Sequence, residues 1–88
     1  IYILIEAMAD EAVKQGMPRS QAYTFASQAV LGSAKMVLET GKHPGELKDA
    51  VTSPGGTTIA GLAVLDDLGF RSAIMNGIDA AIEKSKSL

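Results

Sequence analysis

Apolar residues recur every three or four positions along almost the whole chain, and this spacing constrains the fold more than any other feature. In the first segment one face carries Ile1, Ile5, Met8, Ala12 and Val13. A repeat near 3.6 residues is that of an amphipathic helix, whereas a half-buried strand alternates with a period of two. No stretch of five or more residues alternates in that way with β-branched side chains. The sequence therefore predicts an all-α fold.

Glycine and proline divide the helical pattern into segments. Gly16 is predicted to stop the first helix, and Pro18 suits the first turn of the next one. That second helix is expected from Ser20 to Thr40, with Gly41 as its stop. The later helices are predicted to begin at Pro44, Ile59 and Phe70, and they are separated by the run 52–58 and by Gly69.

The second predicted helix is rich in small residues, which lets another helix approach closely. Its apolar stripe consists of Ala22, Phe25, Ala26, Ala29, Val30, Ser33 and Val37. Gly32 would cost about 1 kcal/mol relative to alanine in an exposed helix, and close packing is the expected compensation. The chain is 47% apolar and only 5% aromatic, and a chain this short has a marginal core of its own. We therefore expect a homo-oligomer. Met8, Met36 and Met75 are predicted to be core residues.

Charge and composition argue against several classes of protein. A net charge of −2 with scattered cations argues against a nucleic-acid partner, which requires clustered lysine and arginine. The chain has no cysteine, so it has neither disulfides nor thiolate metal ligands. Its longest apolar run, Ile1–Ile5, is far too short to cross a membrane. We expect a cytoplasmic protein, of which this chain, starting at Ile1 without an initiator methionine, is one piece.

The helical pattern breaks at residues 52–58, and the run 53–58 within it is the candidate site. Paired glycines permit positive φ and let a ligand reach the backbone. If a helix begins directly after them, the N–H groups of Gly56, Thr57 and Thr58 lack intrahelical acceptors and favour a carboxylate or phosphate. The hydroxyls of Ser53, Thr57 and Thr58 would add uncharged donors. From spacing alone, an ordinary turn with Thr57 or Thr58 as N-cap is the simpler interpretation, so both stand at this point.

The other polar candidates are weaker. His43 is the only histidine and, beside a Pro-Gly pair, is predicted to be a turn or cap residue. No second histidine or acidic cluster completes a metal site. Asp66 and Asp67 project about 100° apart on a helix, so they cannot converge on one atom. Lys48 and Arg71 are predicted to be solvent-exposed or ion-paired.

The sequence around the turn closely resembles the signature of the pyrroline-5-carboxylate reductases. The resemblance runs from Glu46 to Leu62, continues to Leu65-Asp66, and extends to His43-Pro44-Gly45, Gly69-Phe70-Arg71 and Gly32-Ser33-Ala34-Lys35-Met36. It implies that residues 1–88 are the C-terminal domain of such an enzyme, an intertwined homodimer of the 6-phosphogluconate dehydrogenase C-terminal type, with rings of dimers in some members. The chain has no G-x-G-x-x-G after a strand. The N-terminal Rossmann domain, which binds NADPH or NADH, is therefore absent from this chain.

The same resemblance implies a reaction and the residues that serve it. Enzymes of this family reduce 1-pyrroline-5-carboxylate to L-proline, the last step of proline biosynthesis. The substrate-binding residues would be Ser53, Gly55, Gly56, Thr57 and Thr58. Of these, Thr58 would be catalytic through a contact between its hydroxyl and the ring nitrogen. No residue is assigned to the cofactor or to a metal, and the chain alone is expected to be inactive.

Two alternatives stay open from the sequence. One is a free-standing helical assembly module without catalysis. The other is a related dehydrogenase that uses the same helical fold for another small imino or hydroxy acid.

Overall fold

A computed structural model describes residues 1–87, and within that range it contains five helices and no strand. The helices are α1 (Tyr2–Lys14), α2 (Arg19–Thr40), α3 (Pro44–Ala50), α4 (Thr57–Asp67) and α5 (Phe70–Lys86). The all-α prediction is thus confirmed. None of these helices combines the length and apolar character needed to cross a membrane. The chain divides into two compact units, Ile1–Leu47 and Lys48–Leu88, which are described in turn.

The corner between α1 and α2 forms at the residues that the sequence indicates. Gly16 has a φ of 112°, a conformation that side chains disfavour, and its amide donates to the Val13 carbonyl at 2.9 Å. Pro18 is the N-cap of α2, which begins at Arg19, one residue before the predicted start. At its other end, α2 stops at Gly41 as predicted, with the left-handed φ of 67°.

Three alanines form the buried core of the first unit. Ala9 of α1 is fully buried, and Ala22 and Ala26 of α2 are nearly so. The partly buried apolar residues around them are Ile5, Ala12, Val13 and Met17. Because an alanine projects only one carbon from the backbone, the two helices can approach closely at this point, as the small-residue pattern predicts.

A polar contact on the surface joins the same two helices. The Arg19 guanidinium donates to the Asp10 carboxylate and lies over the Tyr23 ring, 5.7 Å from its centroid. The hydrogen bond to Asp10 is the main cause that raises the pKa of Arg19 above its ordinary value, and Tyr23 makes a smaller contribution in the same direction. Exposed ion pairs contribute little to stability, so the alanine contact is the main link between α1 and α2.

Most of the predicted core is exposed in the single chain. Phe25 is 58% exposed although it was expected in the apolar stripe of α2. The prediction that Met8, Met36 and Met75 are core residues is also wrong for this chain, because all three are exposed. Helical spacing identifies which side chains share an apolar face, but it does not identify what covers that face.

The second unit has no fully buried residue between Lys48 and Ser87. α4 and α5 meet at Gly69, whose φ is 76° and whose carbonyl accepts the Ala73 amide at 2.9 Å. The apolar stripe of α5 includes Phe70, Ile74, Ile78 and Ile82, which are 38–56% exposed. Leu47 on α3 is partly buried, but Val51 lies beyond the end of α3 and is exposed.

Replacing Ala9 by leucine tests the alanine contact. Ala9 has no exposed surface, so the larger side chain must separate α1 from α2, and we expect a loss of about 1–3 kcal/mol in unfolding free energy. Ala7→Leu is the matched control, because Ala7 is exposed on the same helix and should change stability by about 0.5 kcal/mol or less. The measurement is thermal unfolding of both variants; equal melting temperatures would contradict the packing described here.

Candidate functional site

The candidate site begins where α3 ends, and Thr52 closes that helix. The Thr52 amide donates to the Asp49 carbonyl at 3.0 Å, and its hydroxyl donates to the Lys48 carbonyl at 2.7 Å. The Lys48 carbonyl also accepts the Val51 amide at 3.2 Å. The last carbonyls of a helix lack intrahelical donors, and these bonds supply them. The chain therefore leaves the helix at Thr52, with Ser53 directly outside it.

Residues 53–56 form a tight turn. The Gly56 amide donates to the Ser53 carbonyl at 3.1 Å, which closes the turn between its first and fourth residues. Gly55, the third residue, has a φ of +67°. Proline in the second position, glycine with positive φ in the third and this hydrogen bond are typical of a type II turn.

The two glycines of the turn are needed for different reasons. Gly55 has the left-handed conformation, and nothing lies within 4 Å of where its Cβ would be. Gly56 has an extended backbone, with φ −83° and ψ −178°, so its conformation suits any residue. However, a Cβ on Gly56 would collide with the Ser53 hydroxyl and lie 3.3 Å from the Ser53 carbonyl oxygen. The Ser53 side chain therefore sits against the bare backbone of Gly56.

Directly after the turn, α4 begins with unpaired amides. Gly56 is its N-cap and no side chain caps the helix, so the interpretation of Thr57 or Thr58 as N-cap is wrong. Within residues 1–87 the amides of Thr57, Thr58 and Ile59 donate no hydrogen bond. They lie at the positive end of the helix dipole, where backbone N–H groups favour an anion.

The set of unpaired amides differs from the sequence-based prediction at two residues, Gly56 and Ile59. The Gly56 amide was predicted to be free, but it is bonded inside the turn and is removed from the set. The Ile59 amide was missed and belongs to it. Both differences follow from where the helix starts, since the first amides of a helix are its orphans and α4 starts at Thr57.

The polar side chains of the turn are placed at its surface. Ser53 and Thr57 are exposed and Thr58 is partly buried, and none of their hydroxyls is hydrogen-bonded within the described residues. The turn thus combines uncharged hydroxyls with backbone N–H groups in one short segment. Such an arrangement can bind a small carboxylate or phosphate without a cationic side chain.

The other polar candidates take the structural roles predicted for them. His43 Nδ1 accepts the Gly45 amide at 2.9 Å, which makes His43 a cap of α3. Arg71 Nε lies 3.6 Å from Asp66 Oδ1, and Lys48 Nζ lies 3.7 Å from Asp49 Oδ1. No group of three or more potential metal ligands occurs in the part of the chain that the structure describes.

The whole chain, residues 1–88, matches the family model described as pyrroline-5-carboxylate reductase dimerisation. This chain belongs to that family. It is 61% identical over 88 residues to the pyrroline-5-carboxylate reductase of Escherichia coli strain K12, a match that covers 100% of this chain and 33% of that protein. The chain therefore spans about a third of the length of the curated relatives it matches.

Solved structures of the family have the same fold. The 1-pyrroline-5-carboxylate reductase of Streptococcus pyogenes matches with a TM-score of 0.95 and 44% identity, over 99% of this chain and 34% of the other. The pyrroline carboxylate reductase of Plasmodium falciparum, solved with NADP bound, matches with a TM-score of 0.93 and 38% identity, over 98% of this chain and 33% of the other. The predicted helical dimerisation-domain fold is confirmed by these likenesses.

Replacing Gly56 by alanine tests the geometry of the turn. The new Cβ would displace the Ser53 hydroxyl, which can rotate away, and would lie 3.3 Å from the Ser53 carbonyl oxygen, which cannot. We therefore expect a loss of about 1 kcal/mol in stability, the low end for overpacked sites. Gly61→Ala is the control, because Gly61 lies within α4 with nothing among the described residues near its Cβ position and alanine favours a helix by up to about 1 kcal/mol. Thermal unfolding compares the two, and a Gly56→Ala protein that melts above the wild-type temperature would contradict the contact between Ser53 and Gly56.

Proposed function

We propose that this chain is the C-terminal dimerisation and substrate-binding domain of a pyrroline-5-carboxylate reductase. The full enzyme would reduce 1-pyrroline-5-carboxylate to L-proline, the last step of proline biosynthesis, with NADPH or NADH. The observation that carries this proposal is the row of unpaired amides at the start of α4, next to the Ser53 turn. The 61% identity to the Escherichia coli reductase supports it. A cytoplasmic location stays a prediction.

The substrate's carboxylate is proposed to bind at the turn. The amides of Thr57 and Thr58 and the hydroxyl of Ser53 would donate to its oxygens, and Gly55 and Gly56 would let it reach the backbone. Hydrogen bonds to an ionised acceptor are stronger than those between neutral groups, so a few such donors are sufficient. The run 53–59 itself carries no cationic side chain, which suits a ligand that must leave as product after each turnover.

Anchoring the carboxylate leaves the ring of the substrate free to be positioned for reduction. In the proposed reaction the imine carbon gains a hydride and the ring nitrogen gains a proton, so the C=N bond becomes a single C–N bond. The nicotinamide supplies the hydride when bound. The share of this chain is orientation, with the Thr58 hydroxyl in contact with the ring nitrogen to fix the ring and hold or relay the proton.

The nicotinamide is proposed to be held mainly outside this chain. Within residues 1–87 there is no strand and therefore no strand–glycine-rich loop–helix unit of the kind that binds dinucleotides. The Plasmodium falciparum relative, of which this chain covers 33%, was solved with NADP bound. That likeness supports a nicotinamide cofactor for the full enzyme. The chain alone would be inactive.

The exposed apolar faces support a homodimer as the working form. Only three alanines of residues 1–87 are buried, while Phe25 and the α5 stripe defined above are largely exposed. Contiguous exposed apolar surface marks an interface with another protein, and the family is named for dimerisation. We propose a second copy of this chain as the partner. An intertwined dimer, and larger assemblies of dimers, stay predictions.

Alanine substitutions in the full-length enzyme test the two substrate contacts separately. We expect Thr58→Ala to lower kcat by about tenfold or more, because it removes the group at the reacting nitrogen. Ser53→Ala should mainly raise the KM for 1-pyrroline-5-carboxylate by about ten- to hundredfold, the factor for one hydrogen bond to a charged group. Steady-state oxidation of NADPH measures both.

A threonine of the first unit provides the control for these variants. Thr24 lies on α2, and its hydroxyl donates to the Ser20 carbonyl at 3.2 Å. No substrate contact is proposed for Thr24, so Thr24→Ala should keep both kinetic parameters. If Ser53→Ala and Thr58→Ala both lowered kcat and raised KM to the same extent, the division of roles would be contradicted. A full-length protein that assembles normally but never reduces the substrate would instead support an assembly module without catalysis.

Replacing Gly32 by leucine tests the proposed interface on α2. Among the described residues, no atom outside the neighbouring backbone of α2 lies within 4 Å of a Cβ at Gly32, so a side chain can begin there without a clash inside its own protomer. If a second copy packs closely against this helix, the larger side chain should disrupt the oligomer by overpacking. Sedimentation velocity measures the change, with Gly32→Ala as the smaller substitution that should retain assembly. An unchanged oligomer in Gly32→Leu would argue against this interface.

A further inference from the structure

We propose that Thr52 is a positioning residue for the substrate-binding turn. Its two hydrogen bonds to the end of α3 fix the direction in which Ser53 leaves the helix. This inference rests on the proposed function, because it assigns to Thr52 an effect on carboxylate binding through Ser53. Thr52 itself would not touch the substrate.

The hydrogen bonds of Thr52 attach it to two successive carbonyls of the last turn of α3. Its amide is bonded to Asp49 at 3.0 Å and its hydroxyl to Lys48 at 2.7 Å. With only one of these bonds, Thr52 could still rotate about that bond. Together they hold the backbone and the side chain of Thr52, which is also partly buried. The peptide unit that follows, which carries Ser53, therefore starts from a fixed position.

The far side of Ser53 is fixed as well. Its carbonyl accepts the Gly56 amide at 3.1 Å, and its side chain lies against the Cα of Gly56. Ser53 is thus held between Thr52 on one side and Gly56 on the other, with no hydrogen bond of its own hydroxyl to the described chain. Loosening Thr52 would let the Ser53 hydroxyl move relative to the α4 amides. Substrate binding would then weaken, whereas the reaction step would be little changed.

The chain contains a matched control for this inference. Thr40 ends α2 with the same type of bond, from its hydroxyl to the Met36 carbonyl at 2.6 Å, and that hydroxyl also accepts the Lys42 amide at 3.2 Å. No substrate contact is proposed near Thr40. Replacing either threonine by valine keeps the shape and removes only the hydroxyl, so the two variants separate an effect on the helix end from an effect on the turn.

The experiment compares Thr52→Val, Thr52→Ser and Thr40→Val in the full-length enzyme. We expect Thr52→Val to raise the KM for 1-pyrroline-5-carboxylate by about three- to tenfold, the factor for one lost hydrogen bond, with kcat changed by less than about twofold. Calorimetric titration with L-proline should show weaker binding by a similar factor. Thr52→Ser should restore both values, because it keeps the hydroxyl. Thr40→Val should lower the melting temperature by at least as much as Thr52→Val, because the Thr40 hydroxyl makes two hydrogen bonds, and it should leave KM unchanged.

The outcomes separate this inference from the function on which it rests. A wild-type enzyme that neither reduces the substrate nor binds L-proline would overturn both. An active wild type with an unchanged KM in Thr52→Val, or with an equal rise in Thr40→Val, would overturn the positioning role alone. If Thr52→Val folds poorly, Thr52→Ala removes the same hydroxyl and replaces it in the comparison.

Discussion

The contact on which the first unit depends is the close approach of α1 and α2 across Ala9, Ala22 and Ala26. Small side chains bring the two backbones together, but they bury little apolar area, and burial is the main source of folding free energy. The larger apolar residues, Phe25 among them, point elsewhere and stay exposed. In such a chain, most of the apolar surface that could stabilise the fold by burial is still exposed to water. Association with another copy is the physical route by which that surface leaves water.

The turn that is proposed to bind the substrate does not depend on this core. It is built from local backbone bonds, those of Thr52 to the end of α3 and that of Gly56 to Ser53, together with the steric contact between Ser53 and Gly56. Its donors are the orphan amides that every helix has at its start. A site of this kind can keep its shape at the edge of a domain, and the rest of the fold only has to present it to the substrate.

Much of the helical organisation could be predicted because its determinants are local. Gly16, Pro18 and Gly41 act through their own φ values or ring geometry, and the structure has breaks at each of them. The burial of Met36 and Met75 could not be predicted in the same way. Periodicity shows that a residue lies on an apolar face, whereas burial depends on whether another element covers that face. In the single chain these two faces are not covered.

The sequence by itself determined the helical fold, the order of the helices, and the turn that begins at Ser53, because short-range preferences and the family signature are written in consecutive residues. It placed the start of α4 at Ile59, two residues later than the structure has it. Only the three-dimensional structure decided which amides of the turn are free. In it the Gly56 amide donates to the Ser53 carbonyl, and the Thr52 hydroxyl donates to the Lys48 carbonyl. The Ile59 amide is unpaired among the described residues. These partners depend on the dihedral angles of each peptide unit and on where α4 begins. Residue types restrict those angles without fixing them.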